Sequence, residues 1–302
     1  MDQGSAIACL GAARPFEAAQ AALYATAKTD TCKLEVRWAS CEEDVRQAQR
    51  LRYRVFAQEM GAHLTPPAGT PPNVDADHFD PFCDHLLVSV ASSAGNPGDA
   101  NAGNSINKEQ SPDMLVGTYR VLPPWAARRA GGLYIDTEFD LAPLASLRAQ
   151  AVELGRSCVH PDWRSGGVIM ALWTALGQYM VEHGLDTMIG CASVSLGNLN
   201  EVGGGGQTAE NLWCHLRHTH LVAPHWQVRP RCPLPLESMA GTLPNGDSGR
   251  VVTPPLIKGY LRCGAKLLGP PALDRAFNTA DLPMMLRTSE LVPRYRQHFL
   301  GV

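Results

Sequence analysis

A chain of 302 residues, 45% hydrophobic and 18% charged, can bury a full-sized core, which excludes disorder throughout. Its formal net charge of -3 supplies no global positive field to hold phosphates, so DNA and RNA are excluded as expected partners. The nine cysteines are odd in number, scattered and without a C-x-x-C pair, neither a disulfide framework nor a zinc-ribbon spacing, so a reducing, cytoplasmic compartment and no resident metal are expected.

Residues 1–30 are alanine-rich, lack a basic and apolar leader, and read as an N-terminal arm ahead of a folded domain over 31–302. Leu34, Val36 and Trp38 alternate with Lys33, Glu35 and Arg37, which predicts a half-buried strand. Ser40 and Glu43 have the spacing of a capping box, and Val45, Ala48, Leu51, Val55, Phe56 and Met60 recur at helical spacing until Gly61. A loop from Pro66 to Pro72 leads to Asp75, Asp77, Asp80 and Asp84, followed by an apolar strand over 85–90. Residues 92–113 are low in apolar content and read as a loose insert, so the strand over 114–122 is expected to pair with the one before it.

A short helical region near 141–150 and a strand over 151–159 come next. The following helix carries Ile169, Leu172, Leu176, Tyr179 and Met180 on one face and ends at His183 and Gly184. Residues 185–194 are expected to form the final core strand, with another helix over 208–220 and an extension from about residue 222. No apolar run reaches the ~18 residues that a membrane-spanning helix needs, so any membrane contact is expected to be peripheral.

The most informative block is 152–172, a strand that runs through Arg164, Ser165, Gly166 and Gly167 into a helix. Glycines let backbone N–H groups approach a ligand, and a helix N-terminus favours phosphate. A tight strand-to-helix turn explains the glycines alone equally well. The block resembles motif A of the GCN5-related N-acetyltransferase superfamily. That resemblance implies an α/β fold, a central mixed, mostly antiparallel sheet flanked by helices, here with a C-terminal extension. It further implies acyl transfer to an amine from a phosphopantetheine thioester held at Val159, Arg164, Ser165, Gly166 and Gly167, with the donor as co-substrate and no permanently bound cofactor.

A narrower likeness covers 51–61, 73–88, 115–122, 153–164, 189–194, 254–265 and 277–282, which look like bacterial ornithine-lipid acyltransferases. These move a 3-hydroxyacyl group from acyl carrier protein to the α-amine of ornithine, giving lyso-ornithine lipid, so acyl carrier protein and ornithine are the implied partners. Such sequences have also been called hemolysin-like, which leaves a non-enzymatic, membrane-active protein as an alternative alongside another amine acceptor or a coenzyme A donor. The chain is also similar, more distantly, to acyl-homoserine-lactone synthases at Arg52 and Phe56, Asp77 and Asp80, Arg120, and Glu153 and Arg156, but has Gly155 where they have serine.

Amine acylation needs a proton acceptor, and Glu153 is the candidate base, with Arg156 beside it. Along an unbroken strand the two face opposite sides, which predicts an irregularity at Gly155. Asp77, Asp80 and Asp84 are expected to form an acidic patch for a cationic acceptor, and Arg120 to bind its carboxylate. Arg52 and Arg54 either steer acyl carrier protein or brace the site. Cys158 offers a covalent route, while Cys214, His215, His218 and His220 lack a metal-ligand spacing. Residues 185–188 and 282–286 could line an acyl tunnel, and Arg287, Leu291, Arg294, Tyr295, Arg296 and Phe299 could rest on anionic lipid, keeping the protein cytoplasmic or peripheral on the inner membrane.

Overall fold

Alternating side chains at the chain's first apolar run build β1 (Leu34–Trp38), an edge strand that pairs antiparallel with β2 (Asp84–Val90). The computed structural model describes residues 33–90, 114–197, 205–235 and 253–300, so the arm at 1–30, the insert at 92–113 and the start of the Gly203 to Gly206 loop lie outside the described residues. Between β1 and β2 runs α1 (Glu42–Tyr53), which continues as a π-helix over Arg54–Glu59 before Gly61 turns the chain at φ 77°. Its start differs from the expected capping box. Cys41 is the N-cap, and it is Asp44, three residues on, that accepts from the Ser40 N–H at 2.8 Å, leaving Glu43 to pair with Arg50.

β3 (Met114–Leu122) pairs with β2, and α2 (Pro124–Ala130) ends at Gly131 in the left-handed region. β4 (Phe139–Asp140) follows, and the helical region expected at 141–150 is only a 3₁₀ turn, Ala142–Leu144, followed by hydrogen-bonded turns to Gln150. β5 (Ala151–Val159) and α3 (Gly167–Glu182) occupy the positions expected of them, and β6 (Thr187–Ser195) and α4 (Gly205–Leu216) come next. After β7 (Arg229–Pro230), α5 (Pro255–Cys263), β8 (Lys266–Leu267) and β9 (Ala272–Asp274) lead to β10 (Thr279–Arg287) and α6 (Pro293–Leu300).

The main sheet has the order β1-β2-β3-β5-β6-β10-β8, with β9 also on β10, and β5–β6 is its parallel pair. β6 is therefore not the last core strand. β10 pairs with it residue for residue from Thr279↔Ser195 to Arg287↔Thr187, so the C-terminal extension is part of the sheet. Pro283 argues against a central strand in sequence, since it cannot donate to a ladder, but it falls between the stretches that β8 and β9 pair with. α3 packs Val168, Leu172 and Leu176 on the β2–β3 face, so closely that a Cβ at Gly117 would lie 2.4 Å from Val168 Cγ1.

Two features open a site. β5 and β6 pair only over Ala151–Glu153 and Thr187–Ile189, then part, pivoting where a Cβ on Gly190 would meet the Leu154 carbonyl at 2.3 Å. Along the other edge of β5 the register with β3 shifts, leaving Arg156 and Ser157 opposite Tyr119 alone. The expected lipid-facing stretch points elsewhere: Leu291 and Phe299 are each 6% exposed and pack with Trp173 against α3, because their spacing matches an inward stripe. No helix among the described residues is long and apolar enough to cross a membrane.

Candidate active site

Glu153 is the last β5 residue to pair with β6, and only 5% of it is exposed. Its two carboxylate oxygens accept the backbone N–H groups of Tyr134 at 2.6 Å and Ile135 at 2.7 Å, offered by a 3₁₀ turn, Tyr134–Thr137. Burial pushes its carboxyl up to about 7, against the opposing pull of those N–H groups and of Arg120. Such a group changes protonation at neutral pH, as a base for an ammonium must.

The strand irregularity lies one residue beyond Gly155. Arg156 itself takes a left-handed φ of 51°, which costs a non-glycine residue roughly 1 kcal/mol and turns its side chain into the cavity that also holds Glu153. There its guanidinium lies 4.8 Å from the Tyr134 ring centroid and 4.5 Å from that of Phe277.

The acidic residues do not form a free patch. Arg52, fully buried, donates to Asp75 at 2.8 Å and to Asp80 at 2.7 Å; Arg120 donates to Asp77 at 2.7 Å and Asp80 at 2.9 Å; Arg156 reaches Asp77 at 3.1 Å. Three guanidinium groups thus meet three carboxylates. Burial alone would raise Asp80 and Asp77, but Arg52 and Arg120 hold the first, and Arg120 and Arg156 the second, below the usual carboxylate range. Asp84 is exposed and accepts from the Tyr179 hydroxyl at 2.7 Å, outside this network. Asp77 and Asp80 are therefore held by arginines and do not form the expected open patch, Asp84 stands apart from them, and Arg120 is held by the same two aspartates. Arg52 braces α1 on the aspartate loop, whereas Arg54 is exposed.

A cavity of about 310 Å³ fills the wedge between β5 and β6. Phe56 and Val159 line it, as do Glu153, Gly155 and Arg156. Arg164 stands at its rim, bound through both terminal nitrogens to Glu59 at 2.5 and 2.8 Å on the π-helix. Ser165 and Gly167 are exposed, and Gly166 opens α3 as its N-cap at φ 106°, a conformation that favours glycine. The turn is therefore open, with the helix N-terminus beside the cavity mouth. Cys158 also lines the cavity, but burial pushes its thiol up to about 12, so thiolate is scarce and a covalent route is disfavoured.

Several groups escaped the sequence reading. Glu138 and Asp281 form a coupled acidic pair: burial raises both, and the nearby Asp281 raises Glu138 further, to about 8, while the hydrogen bond to Glu138 pulls Asp281 the other way. Asp281 faces the cavity, accepting from Thr279, and the Cys191 thiol donates to Glu138 at 3.3 Å. Among the described residues these three side chains converge closely enough to hold a cation. Burial raises the Cys191 thiol well above the usual thiol range, so it holds the proton that it donates to Glu138. The signal was present in the 277–282 block, but Glu138 carried no motif of its own.

A family model described as an acetyltransferase (GNAT) domain matches residues 51–174, from α1 to the middle of α3. The L-ornithine N(alpha)-acyltransferase of Rhizobium meliloti (strain 1021) is 34% identical over 272 residues, covering 88% of this chain and 84% of that protein. Its counterpart from Rhodobacter capsulatus is 31% identical over 265 residues, covering 88% and 94%. The chain belongs to the L-ornithine N(alpha)-acyltransferase family. As a member it is an acyltransferase, which sets aside the non-enzymatic, hemolysin-like alternative. Solved structures overlay more loosely: FeeM, an N-acyl amino acid synthase from uncultured soil microbes, at 12% identity and a TM-score of 0.48 over 88% of this chain and 97% of that one, and the acyl-homoserine lactone synthase BjaI at 14% and 0.46 over 89% and 90%.

Proposed function

We propose that this acyltransferase moves a long (3-hydroxy)acyl group from the phosphopantetheine thioester of acyl carrier protein to the α-amine of ornithine, releasing lyso-ornithine lipid. The observation that carries the reading is the position of Glu153, a carboxyl poised near neutrality in the wall of the wedge, with the open turn at Arg164, Ser165, Gly166 and Gly167 at its mouth. The acceptor is the one on which the relatives act.

The donor phosphate rests on the first turn of α3, with Arg164 exchanging Glu59 for it. Glu153 takes a proton from the acceptor's ammonium, directly or through water. The neutral amine attacks the thioester carbon, the carbon–sulfur bond breaks, and the thiolate leaves with the second amine proton. Backbone N–H groups at the Arg156 register break stabilise the oxyanion. Arg156 faces the acceptor carboxylate, and the Glu138–Asp281 pair exchanges its shared proton for the acceptor's side-chain ammonium. The lipid product then leaves at the cytoplasmic membrane surface.

Purified protein with acyl-acyl carrier protein and ornithine should yield the N-acyl product by mass spectrometry, and Arg164→Ala should raise the donor KM with little change in kcat. Faster turnover of lysine, glutamine or a polyamine, or of an acyl-coenzyme A donor, would replace the acceptor or donor named here.

A further inference from the structure

Besides Glu153, the cavity in the β5–β6 wedge is lined by Tyr119, Leu154 and Tyr260. Two smaller, mostly apolar cavities, each about 60 Å³, share these three residues with it. One runs between α3 and α6, among Trp173, Leu176, Met188, Leu286 and Phe299; the other lies over β6 and β10, against Gly190 and Met284. The same pair of phenols lines all three. Tyr119 on β3 is 4% exposed, and its hydroxyl lies 2.7 Å from that of Tyr260 on α5, whose ring stacks on Trp173 at 5.3 Å.

Both phenols keep their protons, since burial pushes Tyr119 up to about 12 and Tyr260 well above its ordinary value. Two hydroxyls carry two protons, and their mutual hydrogen bond uses one. A plain alkyl chain passing between them would break that bond and leave both groups in an apolar wall, whereas a chain oxygen would accept and donate in its place.

We propose that Tyr119 and Tyr260 form the doorway between the reaction pocket and an apolar chamber for the acyl tail, and that they select chains carrying a hydroxyl on the stretch that lies between them. This rests on the acyl-transfer reading above. The pair is a specificity determinant and takes no part in bond making.

The test compares two donors of equal chain length, one hydroxylated and one plain, as acyl carrier protein thioesters for kcat/KM and as free fatty acids for calorimetric Kd. The wild-type protein should favour the hydroxylated chain by roughly tenfold in both, the ratio that about 1.4 kcal/mol gives. Tyr260→Phe and Tyr119→Phe should each bring the ratio close to one; Tyr260, being less buried in the core, provides the reading if Tyr119→Phe does not fold. Equal binding of both chains by the wild type, or a preference retained in the folded variants, overturns the doorway. Preferential binding without transfer to any amine keeps the doorway and overturns the acyl-transfer reading instead.

Discussion

At Glu153 two opposing effects nearly balance. Removal from water favours the neutral acid, while the N–H groups of Tyr134 and Ile135 and the positive Arg120 favour the carboxylate, and the outcome is a group that titrates near 7. As a base it must be ionised, so kcat/KM should rise with pH through about 7. Glu153→Gln should lower kcat/KM by roughly 10²- to 10⁴-fold and remove that inflection, as a pH–rate profile would show. Glu138 makes a different prediction. Its folded-state value of about 8 lies above the ordinary 4.5, so the folded protein holds this proton more tightly than the unfolded chain does. The stability it contributes is complete below pH 4.5 and is lost as pH rises toward about 8. Glu153 stops contributing near 7, so a melting temperature that keeps falling from pH 7 to 8, and that Glu138→Gln flattens over this interval, isolates the Glu138–Asp281 pair.

Among the elements, β5 shows both the reach and the limit of sequence periodicity. Its span was read from the sequence, and the chemistry of Glu153 and Arg156 demanded a break in the period-2 order of its side chains; only the structure assigns the left-handed φ to Arg156 instead of Gly155. The two glycines of the wedge therefore differ. A methyl group on Gly190 would collide with the Leu154 carbonyl at 2.3 Å, backbone that moves only if the strands move, so Gly190→Ala should destabilise by ~2 kcal/mol or more in denaturant unfolding. A methyl group on Gly155 meets nothing within 4 Å, so Gly155→Ala should leave stability within ~0.5 kcal/mol. The π-helix over Arg54–Glu59 was invisible in a pattern that reads as continuous helix, yet it brings Glu59 to Arg164.

For the whole molecule, the extension is the surprise. β10 lies between β6 and β8 and carries Asp281 into the cavity, so truncation before Thr279 should abolish soluble, cooperatively unfolding protein. Replacing 92–113 by a short turn should keep the melting temperature within a few degrees, because Val90 and Met114 are already cross-strand partners. Circular dichroism on the two deletions checks both. The sequence by itself determined the strands at 114–122 and 151–159, the helix after Gly166, the GNAT-type fold and Glu153 as the candidate base, because period, turn chemistry and motif are written within ten or twenty neighbouring residues. Only the tertiary structure decided that Asp75, Asp77 and Asp80 are neutralised by Arg52, Arg120 and Arg156, that Glu138 meets Asp281, and that Tyr119 bonds Tyr260 across 141 residues. Those pairings depend on which strands lie side by side and how far they part, and no local pattern encodes a distance between strands.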